Sequence, residues 1–536
     1  MKSIKIAISS FAIFLTLLLT TSCEKDFLDI NIDPNNPADV PLNQLLPAAE
    51  VSMAFYLGQN TDGWNNACAT FVHQVVNFRV DQYTMTGTQY NAQWAAFFSG
   101  PLRDLQIIIN KGTATGDMHY VGVAKILKTY AYSVAVDLWD DVPYFDALQG
   151  SENFSPAYDD GAQIYADLFL TLDDALDDLD SASSLSPGSD DLIYGGNLNN
   201  WRKFANTLKL KLYNQVRLVQ DNNAAITALL NDDNLFVSEA DDFELPYGTS
   251  FSPENRNLGF INNWANASRE TQISPWFYEI MKGLNDPRIP YYWYNQIAQG
   301  GNAQNPTDYQ DDTEYGLFVS VRFGSQSPNA SFAQQQSFSL PGLYPVGGAL
   351  NPVPNTTSLV GVGQSPTAGQ ITGPGNVPQR FLTYYALKYI QAELALTEGV
   401  GGDDAEHFED ALQASFDKVN EVAANAGEAT IDQGVIDSYI ADRMAEYESA
   451  DNDGKLELII TQKWIASFGF AIDSYTDYRR TGYPVLFDPN ADADPATVST
   501  RSFPVSFPYS QSDLSAHSNP PNQRNIAQDR VFWDPN

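Results

Sequence analysis

The stretch that most narrows the possible folds is "GAQIYADLFLTLDDALDDLD", residues 161–180. Ile164, Leu168, Leu172, Ala175 and Leu179 recur at intervals of three and four, and aspartates fill much of the space between them. Side chains spaced this way share one face of an α-helix and cannot share one face of a strand. The pattern predicts a helix with one packed face and one solvated, acidic face. It repeats in "NWRKFANTLKLKLYNQVRLV" through Trp201, Phe204, Leu208, Leu212, Val216 and Val219. It repeats again in "VGVAKILKTYAYSVAVDLW", in "RFLTYYALKYIQAELALTEG" through Leu382, Tyr385, Tyr389, Ala392 and Leu396, in "EHFEDALQASFDKVNEVA", and over residues 456–478. Helices arriving in pairs predict stacked helical hairpins, although no fixed-period repeat of residue identity accompanies them.

A chain of 536 residues buries about three quarters of its unfolded surface, so its stability needs no disulfide or metal. The composition, 43% hydrophobic and 12% aromatic, is that of an ordered protein. A formal charge of -37 repels phosphate backbones, which argues against a nucleic acid partner.

The N-terminus predicts an address. Lys2 and Lys5 precede an apolar run over residues 6–19, too short for a membrane span of about 20 residues but suited to a secretory signal. The run ends "LTTSC", which resembles the lipobox of bacterial lipoproteins, with Leu19 one position further from Cys23 than in the commonest form. Residues 1–22 are then a signal peptide, residues 23–40 a lipid-anchored linker, and residues 41–536 the folded domain. Two acyl chains on Cys23, each buried methylene contributing about 0.8 kcal/mol, anchor the mature protein. Cys68, the other cysteine, has no partner and is expected as a small buried side chain. Glu24, Lys25 and Asp26 resemble the signal that sends Bacteroidetes lipoproteins to the outer face of the outer membrane.

Between residues 241 and 379 helical spacing mostly gives way to Pro, Gly, Asn and Gln with scattered aromatics. Long irregular segments in a compact protein tend to carry function, and ligand is expected here. "DTEYGLFVSVRFG" within it alternates like a short strand.

Catalytic patterns are missing. His73, His119, His407 and His517 are scattered and show no zinc spacing, and neither a GxSxG elbow nor a Walker loop occurs. "GVGQSPTAG" lacks the strand and helix of a dinucleotide fingerprint. No cofactor is expected. "DNDGKLE" puts Ile460 where a calcium loop needs a bidentate Glu, and reads instead as a turn and N-cap. "DPNADADP", with Asp488, Asp492 and Asp494, is a weak calcium candidate beside the plainer reading of a solvated acidic turn. Among 66 acidic residues some pair meets a glycosidase spacing by chance, so the count supports no catalytic assignment.

Aromatics remain. Sugar rings stack their C–H faces on flat side chains while amides hydrogen-bond the hydroxyls around the edge. Trp264 with Asn262 and Asn263, Trp293 flanked by Tyr291, Tyr292 and Tyr294, and Trp64 with Asn65 and Asn66 offer that mixture. The plainer reading is that these rings cap the helical core.

Five stretches together resemble the SusD/RagB family of nutrient-binding outer-membrane lipoproteins, more closely its second SusD-like subgroup. They are the lipobox followed by "DFLDINIDPNNP", then "VDLWDDVPYFDAL", "WRKFANTLKLKL", "RFLTYYALKYIQAELALTEG" and "QKWIASFGFAIDSYTDYRRTGYPVL". The C-terminal "RSFPVSFPYSQSDLSAHSN" departs from the family's Arg-x-x-Tyr-Pro element. The resemblance implies a mostly α, single large domain with four tetratricopeptide-like helix pairs, a loop-rich ligand face and a few short strands. It also implies a lid over a SusC-like TonB-dependent β-barrel transporter, carrying oligosaccharides or, in some members, peptides, without catalysis. A surface glycan hydrolase on a helical scaffold is the competing reading.

"YRRTGYP" reads as a helix stop. Arg479 and Arg480 complement the dipole of the last turn, Gly482 takes a left-handed cap with Tyr483 packing back on Tyr478, and Pro484 blocks continuation. A carboxylate of a neighbouring helix is a second partner for either guanidinium.

Overall fold

The computed structural model describes residues 40–535 except 61–62, 78–82, 233, 266–270, 297–308, 314–315, 322, 324–337, 349, 351–372 and 489–501. Cys23, most of the linker and "GVGQSPTAG" lie outside the described residues.

The opening pattern forms the Gly161–Asp180 helix, and its five predicted apolar residues are buried. Asp160 starts it by accepting a hydrogen bond from the Gln163 N–H at 3.0 Å. This helix packs on Met118–Trp139, which is buried almost all round. Gly122 makes the approach possible: a Cβ there would lie 2.9 Å from the Ala175 carbonyl oxygen. Arg103–Thr115 covers another side of Met118–Trp139, and Tyr384–Glu398 pairs in the same way with Asp404–Asn425. Gln433–Ser449 and Asn452–Ala466 continue the stack of hairpins, Asp451 capping the second of them as predicted. The fold is mostly helical and forms a single domain.

Three helix limits differ from expectation. Leu198–Val216 ends before Val219, which stands 47% exposed beyond it. Leu382 belongs to a strand, Gln379–Leu382, and the helix starts after Thr383, whose side chain caps Ala386. The predicted helix over 456–478 is two, Asn452–Ala466 and Ile472–Thr481. They are separated at Gly469, where φ is +108° and a side chain would meet Arg380 and Gln59. The Arg380 guanidinium donates to the Phe468 carbonyl at 3.2 Å and to that of Tyr344, so a polar crossing occupies the space a continuous helix needs.

The strands described form five antiparallel pairs. Val75–Asn77 joins Thr271–Ile273, Phe243–Leu245 joins Gln379–Leu382, and Trp293–Tyr294 joins Leu340–Pro341. Val142–Pro143 joins Tyr158–Asp159. "DTEYGLFVSVRFG" contains the expected short strand, Gly316–Ser320, which pairs with the preceding Tyr309–Thr313 and is buried at every position rather than at alternate ones. One pair, Val75–Asn77 with Thr271–Ile273, ties the irregular segment to the chain that follows the helix Trp64–Phe71, Phe243–Leu245 with Gln379–Leu382 joins its two ends, and two others lie within it. Among the described residues no helix is long and apolar enough to cross a membrane.

Candidate functional site

The "YRRTGYP" stop is confirmed at Gly482, whose φ is +82° and whose N–H donates to the Tyr478 carbonyl at 2.8 Å. Tyr483 does not pack back as expected: its hydroxyl donates to Asp453 at 2.9 Å, and Tyr478 packs on Phe503. Both arginines are buried. Arg480 forms a two-point pair with Glu393, donating also to Asp477 at 2.8 Å, and Arg217 reaches the same Glu393 at 2.6 Å. Burial alone raises a carboxyl's pKa, but the two guanidiniums outweigh it and hold Glu393 well below its ordinary range. Arg479 donates to the Asp137 and Val505 carbonyls and lies over the rings of Tyr475 and Trp533. This is an internal junction joining distant segments.

The aromatic candidates also lie inside. Trp64, Trp264 and Trp293 are 0%, 2% and 3% exposed, so none presents an open face in this structure, and their rings lie in the interior, where the plainer reading placed them. Trp64 meets Phe97 and Trp139 edge to face, each at 4.7 Å. Trp264 donates to the Pro341 carbonyl at 2.8 Å and stacks on Phe260, and a side chain at Gly348 would clash with its indole. Tyr294, at 5.3 Å, shares this small cluster with Trp264. Trp293 turns into the main core against Tyr278 and Phe318, and the Tyr291 hydroxyl donates to the Ala429 carbonyl. Trp64 is buried because it opens the helix Trp64–Phe71 against Phe97 and Trp139, while Trp293 and Trp264 are covered by the strand Leu340–Pro341, which pairs with Trp293–Tyr294 and accepts the Trp264 indole hydrogen bond.

Amides flanking two of these indoles converge, although the indoles do not. Asn65 and Asn66, after Trp64, line one cleft with Asn263, before Trp264, and with Gln59, Asn60 and Gln74. The cleft encloses about 420 Å³ including its open mouth. Its amides are largely committed to the chain: Asn263 donates to the Gly259 carbonyl and accepts from the Thr271 N–H, Asn65 accepts from the Ala471 N–H, and Gln74 donates to the Trp464 carbonyl. The cleft is a polar seam between the irregular segment and the helices. Asn262 is half-buried beside it.

The titratable candidates are quiet. Cys68 is fully buried, and burial pushes its thiol up. His73 is likewise buried, and desolvation lowers its pKa to about 3, so the ring is neutral and packs against Tyr83 and Phe323. Asp488 is exposed, whereas Asp492 and Asp494 lie outside the described residues. Among the described residues no three His, Cys, Asp or Glu side chains gather as a metal site.

One aromatic missed by the sequence reading stands in solvent on a braced loop. Phe251 is 72% exposed, and the Arg256 guanidinium lies 5.3 Å from the centre of its ring. Glu254 accepts two 2.7 Å hydrogen bonds from Arg256, which hold its carboxyl below the ordinary range. The signal in "YGTSFSPEN" was slight: Phe251 stands among small polar residues four positions after Tyr247, with no periodicity to mark it.

Helical hairpins form the scaffold, and an irregular segment carrying short strand pairs forms one side of it. Residues 34–509 match the family profile SusD-like_2, described as "Starch-binding associating with outer membrane", and the chain belongs to this SusD-like family. Solved structures share the fold along their whole length. A SusD/RagB family protein from Bacteroides thetaiotaomicron is 18% identical with a TM-score of 0.68, covering 93% of this chain and 99% of its own. A chitin-binding SusD homologue from Flavobacterium johnsoniae is 21% identical with a TM-score of 0.64, covering 92% and 97%. No curated protein matches the chain.

Proposed function

We propose that this protein is a non-catalytic, lipid-anchored glycan-binding protein of the outer cell surface that acts as the lid of a SusC-like TonB-dependent β-barrel transporter. The observation that carries the reading is the family match over residues 34–509, in a family described as starch-binding and associated with the outer membrane. The lipobox-like "LTTSC" supports anchoring through Cys23. Chitin binding by a relative of the same fold supports an oligosaccharide ligand. In this role the protein binds glycan loosely at its irregular side, the transporter encloses the rest, and hinge motion of the lid delivers the cargo. Binding has to remain weak enough for release.

Tagged protein recovered from its native outer membrane is expected to bring a β-barrel transporter with it. It is also expected to bind oligosaccharides of starch or chitin without releasing shorter products. Recovery with no transporter overturns the lid role. Hydrolysis abolished by one carboxylate substitution overturns the non-catalytic role.

A further inference from the structure

We infer that the loop of residues 248–256 presents Phe251 as a stacking platform for one neutral sugar residue of a glycan, an inference that rests on the glycan-binding reading above. From solvent inward the groups follow in layers. The Phe251 ring is outermost, and the Arg256 guanidinium lies 5.3 Å from it and 5.2 Å from the Phe260 ring. Phe260 in turn stacks on Trp264 at 6.2 Å with the planes 7° apart. Trp264, one of the three indoles the sequence singled out, is thus the inner plate of a stack whose exposed plate is a residue the sequence did not mark.

The outer plate is fixed in place. Glu254 holds Arg256 through both carboxylate oxygens at 2.7 Å. Gly248 N–H donates to the Asn255 carbonyl at 2.8 Å, Asn255 N–H to the Ser250 carbonyl at 3.1 Å, and Ser250 N–H to the Asn255 side-chain oxygen at 2.8 Å. A lone exposed apolar side chain is ordinary in a folded protein. Phe154, 85% exposed with no ring or cation against it among the described residues, is that ordinary case. Phe251 differs because a buried cation and a hydrogen-bonded loop hold its ring, which lowers the ordering cost that a ligand otherwise meets.

The chemistry of the rim selects the occupant. Arg256 and Glu254 neutralise one another, so the loop offers no net charge to an ionic ligand. A membrane surface is disfavoured by a single ring with no cationic rim on a chain of net charge -37. Ser252 and Asn255 are exposed beside the ring and Ser250 is half-buried, which places hydroxyl and amide groups around a flat apolar face. A pyranose has the matching form, with C–H bonds on one face and hydroxyls at the edge.

Calorimetry with maltohexaose and chitohexaose on purified wild-type, Phe251→Ala, Phe251→Trp and Phe154→Ala proteins tests the assignment. Phe251→Ala is expected to weaken binding about tenfold or more. Phe251→Trp should retain or tighten it, and Phe154→Ala should leave it unchanged. Since Phe251 is mostly exposed, its alanine variant should unfold in denaturant like the wild type. Wild-type affinity in Phe251→Ala overturns the platform and leaves the glycan-binding function standing. Equal losses in Phe154→Ala and Phe251→Ala overturn the platform's specificity. Failure of the wild type to bind either hexasaccharide overturns both the platform and the glycan reading.

Discussion

The chain uses the same chemical pair, an arginine gripped by both oxygens of a glutamate, in two places that behave differently. Arg480 and Glu393 lie 87 residues apart with both side chains fully buried, whereas Arg256 and Glu254 are two residues apart and Glu254 is 34% exposed. The first pair links the helix Ile472–Thr481 to Tyr384–Glu398, and through Arg217 to the end of Leu198–Val216. The second closes one short loop on itself. Burial decides what the pair does. In the low-dielectric interior an ion is tolerable only with its partner in place, so the inner pair fixes how distant helices meet. At the surface water stands in for a missing partner, and the outer pair fixes only the pose of a side chain.

The sharpest way to break this comparison is to remove the inner acid. Glu393→Ala leaves Arg480 with Asp477 and leaves Arg217 facing no carboxylate from Glu393, both guanidiniums being withdrawn from water. Breaking one partner of a buried pair costs about 3–5 kcal/mol, and that loss is expected in the free energy of unfolding by denaturant. A loss under about 1 kcal/mol would mean that water reaches the junction, and the distinction between the two pairs would fall.

The difference between the regions also explains what the sequence could reveal. Ile164 to Leu179 announce their burial because helix geometry repeats locally, and Gly482 announces a cap because only a residue without Cβ takes that conformation easily. Arg480 announces a helix end, but its partner 87 residues upstream is set by tertiary packing, which no local pattern records. The candidate site was legible only in part. The irregular segment was visible as lost periodicity, and Asn65, Asn66 and Asn263 do share a cleft. A tryptophan beside asparagines, however, has the same local sequence whether its ring faces water or core. Trp264 is buried because Phe260 and Gly348 are brought against it, whereas Phe251 stands 72% exposed in the middle of a loop closed by bonds between Gly248, Ser250 and Asn255. Those outcomes depend on strand pairs such as Trp293–Tyr294 with Leu340–Pro341, whose partners come together from distant parts of the chain.

A second test uses pH. Asp137 lies beside the inner junction, accepting from the Tyr165 hydroxyl at 2.5 Å and the Trp533 indole at 2.9 Å. Burial raises its pKa to about 6 against the pull of Lys211 and Arg479. A carboxyl with a raised folded value binds its proton more tightly in the native state, so stability falls as pH rises from about 4 through about 6. The shift corresponds to about 3 kcal/mol at most. Glu393 acts with the opposite sign: its depressed folded value contributes stability above the unfolded value near 4.3, which is lost as pH falls below that. Burial raises Asp140 to about 6 as well, so unfolding curves for the wild type should show the decline between about pH 4 and pH 6, and Asp137→Asn should make it shallower, leaving the part due to Asp140. A variant with the same slope as the wild type would place the titration elsewhere.

The smallest effect belongs to the outer pair, and it is the one that separates holding a fold from holding a pose. Glu254→Gln keeps the shape of the side chain and one hydrogen-bond acceptor while removing the charge that balances Arg256. Because Glu254 is partly exposed, the free energy of unfolding should change by less than about 1 kcal/mol. The local consequence should be larger than the global one. Arg256 remains between the Phe251 and Phe260 rings, but its grip on the loop weakens, so amide hydrogens over residues 248–256 should exchange faster while those of the helices keep their protection. If the loop's exchange does not change, the backbone bonds between Gly248, Ser250 and Asn255 suffice to fix Phe251, and the ion pair is incidental there. If protection falls across the helices as well, the outer pair contributes to the fold in the way the inner one does, and burial is not what divides them.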